Sequence, residues 1–309
     1  MALIALKVDV DTLRGTLHGV PRLLQLFERH GIAATFLFSL GPDHTGRALR
    51  RVFTPGFLGK VSRTSVLRHY GLPTLLYGVL LPGPPIGLRA AAPMRRCRVA
   101  GHECGLHAWD HVLWHDNVRR RDALWTRRQM ARARERFVEV FDAPPSTHGA
   151  AGWQMNDEAL RQLDDWGLTH ASDCRGTAPF RPRIGTRTLR HVQLPTTLPT
   201  FDELIGLDGI DESNVADALL ARTARDVDQV FTLHAELEGG AFAPAFDALL
   251  QGWRRQGHRL GSLAMLHRSL AVEQLPVQPL HWDTVPGRAG TLLVAGHATG
   301  SAVDAIAVS

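Results

Sequence analysis

The stretch that most limits what this chain can fold into is its beginning. Leu3 to Val10 is a short, almost wholly apolar run that closes on acidic residues, the pattern of a buried parallel strand whose carboxyl end opens onto a site. Pro21 to His30 follows, with Leu23, Leu24, Leu26 and Phe27 on an inner face and Gly31 as the stop. Ala33 to Phe38 is a second apolar strand. Strand, helix and strand at this spacing form a βαβ unit, which predicts a parallel α/β sheet or barrel.

The alternation resumes further along. Helices are expected over about 119–141, 156–166, 214–222 and 242–256, and strands over 168–174, 193–195, 230–235 and 258–260. Together these give about seven strand and helix alternations in one closed unit, residues 1–270. An insertion at 52–95 breaks the rhythm with basic, aromatic and leucine-rich sequence. Its run Leu72 to Leu88 has no charge, but a membrane span needs roughly 20 apolar residues, and Pro73, Pro82, Pro84 and Pro85 interrupt it. The insertion therefore reads as a packed or dimer-forming surface, or as a segment lying in a membrane interface. Over 271–309 the periodicity lapses, so this stretch reads as a C-terminal tail without chemistry.

With 309 residues and 44% hydrophobic content, the chain can bury a large core. Its net charge of +5 rests on arginine, because the lysines are Lys7 and Lys60 alone. Such an excess suits phosphate headgroups or a membrane surface. Nucleic acid is disfavoured as a partner, since no binding motif is present and only 2 tyrosines occur. Cys97, Cys104 and Cys174 form no CxxC pair, which points to a reducing compartment. Met1 to Asp9 lacks a basic leader region and meets charge early, so it reads as a first strand rather than a signal peptide.

The polar candidates fall at predicted carboxyl ends of strands, where parallel α/β barrels assemble their sites. Gly101 to His111 is the densest stretch. His107 and His111 are four apart, so on a turn of helix both imidazoles share a face and can meet one divalent ion. Asp9 and Asp11 are two apart, so on a strand they face the same way, and like charges that close raise the pKa of one of them. The pair suits a division between metal binding and proton acceptance, or equally a helix cap. His102 lies outside the spaced pair and reads as scaffold. His234 ends a late strand, where an imidazole titrating near neutrality serves as a general acid or as a core histidine. Asp173 and Arg175 offer a supporting ion pair or an anion contact.

The order Asp-x-Asp, Gly-His-Glu-x-Gly-x-His-x-x-x-His, glycine-rich loop, Ser-Asp and Leu-His resembles the polysaccharide deacetylase superfamily over about residues 3–265. The resemblance implies a distorted (β/α) barrel, with Asp9 as catalytic base, Asp11, His107 and His111 as ligands of a divalent ion, and His234 as general acid. Zn, Mn and Co all suit two imidazoles and a carboxylate. One motif departs from the pattern: where the superfamily has Arg-x-Pro-x-Gly, whose arginine orients the base, this chain has Pro145-Ser146-Thr147-His148-Gly149. His148 or Arg175 is then left to support Asp9.

That variant, with His-Ala-Trp-Asp-His at 107–111, Ser-Asp-Cys-Arg-Gly at 172–176 and His-Ala-Glu-Leu-Glu-Gly at 234–239, resembles the branch of the superfamily that acts on a formamido sugar. What this implies is removal of the N-formyl group from undecaprenyl-phosphate-linked 4-deoxy-4-formamido-L-arabinose, a lipid-linked sugar phosphate, at the cytoplasmic face of the inner membrane. The expected setting is lipid A modification and polymyxin resistance. Two alternatives stand beside it: deacetylation of another N-acylated sugar or polysaccharide, and a catalytically dead lipid-carrier-binding protein. The sequence carries no signal for oligomeric state.

Overall fold

A computed structural model describes residues 1–52, 73–223 and 226–296 of the chain. Strand β1 (Leu3–Val10) is buried along its whole length, and the two-residue period of a strand sorts its side chains. Ile4, Leu6, Val8 and Val10 join the large apolar cluster under the helices, while Leu3 and Ala5 join a smaller one with Val192, Leu194, Val230 and Leu263. Lys7 and Asp9 come next on that second side. One face of a single strand thus passes from apolar plug to ionised site.

Parallel pairing spreads from this strand in both directions. β2 (Thr35–Ser39) lies beside β1, and β3 (Glu103–Ala108) beside β2. Segment 147–149 follows, bridged through Leu106 and His148, and passes the ring on to β4 (His170–Ala171) through Ser172 N and His148 O. A hairpin of β5 (Arg181–Ile184) and β6 (Arg187–Thr188) leads outward, and β7 (Val192–Gln193) returns to pair with β4. β8 (Gln229–His234) closes the ring on β1, tied back to the chain after β7 by Thr197 N donating to Val230 O. Counting segment 147–149, seven strands surround the centre, in keeping with the distorted (β/α) barrel the sequence implies. β9 (Arg259–Gly261) seals the lower end of β1.

Helices wrap the outside. α1 (Val20–His30) buries Leu23, Leu26 and Phe27, and ends at Gly31, whose φ of +56° is the left-handed stop the sequence marks. Phe27 packs edge-on to Phe36 on β2 at 5.9 Å. Then come α2 (Ala91–Val99), α3 (His111–Asn117), α4 (Ala123–Phe141), α5 (Asp157–Asp165), α6 (Val215–Arg222), α7 (Ala243–Arg255) and α8 (Leu263–Arg268). α4 starts later than the charge pattern suggests, because Asp122 caps it by accepting Trp125 N at 2.8 Å.

Residues 53–72 of the insertion, with Arg63 and Arg68, lie outside the described residues. In the rest of it Leu80, Leu81 and Leu88 are exposed. Arg95 and Arg98 are not free surface charges: they donate to Val140 O and Phe141 O, both at 2.6 Å, and cap the carboxyl end of α4. Among the described residues no helix is long and apolar enough to cross a membrane.

The tail corrects the sequence reading. β10 (Val277–Asp283) and β11 (Leu292–Ala295) form a hairpin whose first strand pairs with β5. Arg175 N donates to Leu293 O at 2.9 Å and Ala295 N to Arg175 O at 2.8 Å, so the hairpin is stitched to the barrel wall. β10 is half-buried on both sides, and such an edge shows neither clean alternation nor a continuous apolar run. Leu293 is the anchor, buried in the second apolar cluster. Leu293→Ala is expected to cost about 2–4 kcal/mol in urea unfolding; a structureless tail would make the change smaller than about 0.5 kcal/mol.

Candidate active site

The carboxyl ends of β1, β3 and β8 share one mouth of the ring, and polar residues from all of them meet there. Asp11 Oδ1 lies 3.1 Å from His107 Nε2, and Asp11 Oδ2 lies 3.6 Å from His111 Nε2. Ligand-capable atoms of the three residues all fall within 4.8 Å of one another. The two histidines do not share a helical face, as their spacing suggests. His107 is held on β3 by pairing with β2, while His111 opens α3 behind Asp110, which caps that helix by accepting Leu113 N at 3.0 Å. A strand-to-helix turn aims the rings together, with centroids 5.2 Å apart.

The donor set fits a divalent ion. His107 Nδ1 is 2.6 Å from Gly149 O, which fixes a proton on that nitrogen and turns Nε2 toward Asp11; burial disfavours the charged ring, but Asp9 and Asp11 prevail and hold its pKa above the ordinary imidazole value, so a bound ion would take the place of the Nε2 proton. Burial pushes the His111 imidazole down to about 4, so its ring is neutral and able to coordinate. Burial alone would raise the Asp11 carboxyl, but His111, His107 and His234 outweigh it and hold it well below the usual carboxylate range. Asp11 Oδ1 and His107 Nε2 are buried with no hydrogen-bond partner. An ionised carboxylate and two imidazoles, convergent and in part orphaned, could hold a divalent ion with positions left open.

Asp9 stands beside this triad. Its Oδ1 is 3.8 Å from His107 Nδ1 and its Oδ2 is 3.3 Å from Lys7 Nζ. The cation against Asp9 is thus Lys7 rather than His148 or Arg175. His148 Nδ1 instead meets Asp173 Oδ1 at 2.6 Å, and Asp173 also accepts Gln193 Nε2 at 2.7 Å. Arg175 Nη1 donates to both oxygens of Glu203, at 2.7 and 2.9 Å. These three residues brace the wall. Gly149 makes room for the lysine: a Cβ there would lie 2.9 Å from Lys7 Cε and 2.2 Å from Leu37 Cδ1.

His234, at the end of β8, faces the mouth with its Nδ1 3.8 Å from Asp202 Oδ1. Burial disfavours its charged form, but Asp202, Asp11, Glu238 and Asp9 prevail and hold it above the ordinary imidazole value. Burial would raise Asp202 too, yet Arg288 and His234 bring it down to about 2. Arg288 comes from the stretch read as a tail. Its Nη2 is 3.3 Å from Asp202 Oδ2, its Nε donates to Glu203 Oε1 at 2.8 Å, and its guanidinium lies 4.6 Å from the centre of the Trp153 ring.

The expected rise in a carboxyl pKa falls elsewhere than on Asp11. Burial and the Asp11 charge push Glu236 up to about 8, and burial pushes Glu238 up to about 7. Glu236 Oε1 accepts Asp11 N at 3.1 Å and Thr12 N at 2.8 Å, so it shapes the turn that carries the ligand. His102 lies apart from the site. Its Nδ1 accepts Ala34 N at 3.1 Å, between the rings of Phe27 and Phe36.

Sequence reasoning misses Lys7, Trp153, Asp202 and Arg288. Only Lys7 leaves a usable signal, as a charge on the Asp9 side of an otherwise apolar buried strand. Arg288 reaches the site from the turn between β10 and β11 and Asp202 from the four-residue helix Phe201–Leu204, both too short to carry a period to follow.

Comparison with known proteins agrees with this architecture. No family model matches the chain. It is 39% identical over 247 residues to a Shewanella sediminis protein described as a 4-deoxy-4-formamido-L-arabinose-phosphoundecaprenol deformylase, covering 80% of each chain. A Wigglesworthia glossinidia brevipalpis protein of the same description is 32% identical over 278 residues, or 89% of this chain and 96% of that one. A Mycobacterium smegmatis structure described as a polysaccharide deacetylase superposes with a TM-score of 0.63 at 17% identity, covering 92% of this chain and 95% of that one, and so shares the fold. The chain belongs to the family of these deformylases.

Proposed function

We propose that the protein hydrolyses the N-formyl amide of undecaprenyl-phosphate-linked 4-deoxy-4-formamido-L-arabinose, releasing formate and the free amino sugar, in lipid A modification and polymyxin resistance. The observation that carries this reading is the convergence of Asp11, His107 and His111 beside Asp9 and His234, in a chain 39% identical to a protein of that description. The hydrolytic unit is residues 1–270, and the hairpin beyond it lends Arg288.

Asp11, His107 and His111 would hold the ion, with Zn, Mn and Co all compatible with the donors. When bound there, it would supply Lewis acidity toward the formyl oxygen and a water. Asp9 takes the proton of the attacking water, with the Lys7 ammonium 3.3 Å from one of its oxygens and the other left without a hydrogen-bond partner. His234 gives its proton to the amide nitrogen as the C–N bond breaks, and the charge of Asp202 favours the protonated ring beforehand. His148, Asp173 and Arg175 serve by bracing the wall behind Trp153.

A lipid-linked substrate requires a membrane surface. Exposed Leu80, Leu81 and Leu88 support peripheral docking through the insertion, at the cytoplasmic face of the inner membrane.

Asp9→Asn and His234→Ala are each expected to lower formate release about 10²–10⁴-fold; a near-normal rate in either protein removes that residue from the mechanism. Chelation should abolish activity, and titrating Zn, Mn or Co back should restore it, whereas full activity in a metal-free preparation contradicts the triad's role. His234 must be protonated to act, so activity is lost as pH rises through its pKa, which lies above the ordinary value. Asp202→Asn removes a charge that raises this pKa, so the alkaline limb of kcat/KM should move to lower pH; a fixed or rising limb excludes His234 as the acid.

A further inference from the structure

A second cleft lies next to the site. It measures about 430 Å³ and runs between residues 14–22, which follow β1, and residues 235–241, which follow β8. Arg14, His18 and Arg22, each exposed, recur at four-residue spacing on its first wall. Among the described residues Arg14 and His18 have no acidic partner, and Arg22 Nη1 crosses the cleft to donate to Gly240 O at 3.1 Å. The one acid among the lining residues is Glu236, and its Oε1 is already taken by Asp11 N, Thr12 N and Thr12 Oγ1. The lining is therefore net basic.

The base of the cleft is backbone pressed on backbone. A Cβ on Gly19 would lie 2.0 Å from Ala235 O, and one on Gly239 would lie 2.7 Å from Gly19 O. The two walls thus touch along their base, and the basic groups stand on a fixed frame. That frame is one side chain from the triad, because Glu236 grips the backbone of Asp11.

We infer that this cleft binds the phosphate of a glycosyl phosphate, the group that joins the sugar to its polyprenyl carrier. This rests on the proposed function. In a 4-formamido sugar linked through its anomeric oxygen, the amide and the phosphate stand at opposite ends of one pyranose ring, so the phosphate needs a cationic site a ring's width from the triad. Arg14 and Arg22 bear the phosphate oxygens by charge-assisted hydrogen bonds. A membrane headgroup offers the same chemistry, and the experiment separates the two sources.

Wild type and the Arg14→Gln/Arg22→Gln double variant, matched for metal content and thermal midpoint, are assayed for formate on two substrates. One is a short-chain prenyl phosphate of the formamido sugar, the other its methyl glycoside, which has no phosphate. The double variant should lose about 10- to 100-fold in kcat/KM on the first and stay within about twofold on the second. Equal loss on both, or loss on neither, overturns the assignment. Loss of sedimentation with phosphatidylglycerol vesicles, with kinetics on the short-chain substrate unchanged, assigns the cleft to headgroups and equally overturns it. Should wild type release no formate from either compound, the proposed activity fails by itself, and calorimetry with geranyl phosphate then decides: binding weakened about tenfold or more in the double variant upholds the phosphate site, and equal binding rejects it.

Discussion

Ionised groups inside a barrel are tolerable only in compensated sets, because an unpaired buried charge costs several kcal/mol. The interior obeys this group by group. Lys7 faces Asp9, Arg175 faces Glu203, Arg288 spans Glu203 and Asp202, and His148 faces Asp173. Asp11 breaks the pattern, for its partners are two imidazoles and one of them, His111, is held neutral by burial. Where the three donor atoms converge, Asp11 is therefore compensated by imidazoles alone. Compensation elsewhere is what makes that location specific.

Trp153 ties several of those pairs into one frame. It adopts a φ of +53°, a strained conformation for a bulky residue. Its ring carries Arg288 at 4.6 Å, Arg175 at 5.1 Å and Lys7 at 5.3 Å, and its Nε1 donates to Thr196 Oγ1 at 3.1 Å. Three cations drawn from β1, the end of β4 and the C-terminal hairpin thus share one aromatic surface. The hairpin is part of the active-site wall for this reason, and the stability of Leu293 in its cluster bears on the position of Arg288.

Legibility in the sequence follows periodicity. β1 and β2 are near-continuous apolar runs and α1, α6 and α7 repeat at 3.6 residues, and each lies within a residue or two of the stretch so marked. The convergence of Asp11, His107 and His111 is legible because its members lie in two short stretches, although the geometry that joins His107 to His111 is a capped strand-to-helix turn and not a helical face. Residues that act across long sequence distances leave no such trace. Asp202 and Arg288 are 86 positions apart and meet only because β10 lies along β5. The half-buried hairpin strands look, residue by residue, like linker.

The cation beside Asp9 comes from its own strand, as Lys7, and the loop at 145–149 carries no arginine. A cation on that loop would approach Asp9 from the side and would need the loop to hold a long charged side chain. A lysine two residues earlier on β1 is on the same face as Asp9 by the geometry of the strand itself, so its position is fixed by the barrel's hydrogen bonds. With the cation supplied by the strand, Gly149 is free to offer its carbonyl to His107 and its missing side chain to the lysine stem. The duties left to Pro145-Ser146-Thr147-His148-Gly149 toward Asp9 are therefore steric and backbone-directed. The proposed base, the proposed ligand and the cation beside them then all descend from Lys7-Val8-Asp9-Val10-Asp11, and the apolar run that dictates the first strand also dictates the charge order of the site.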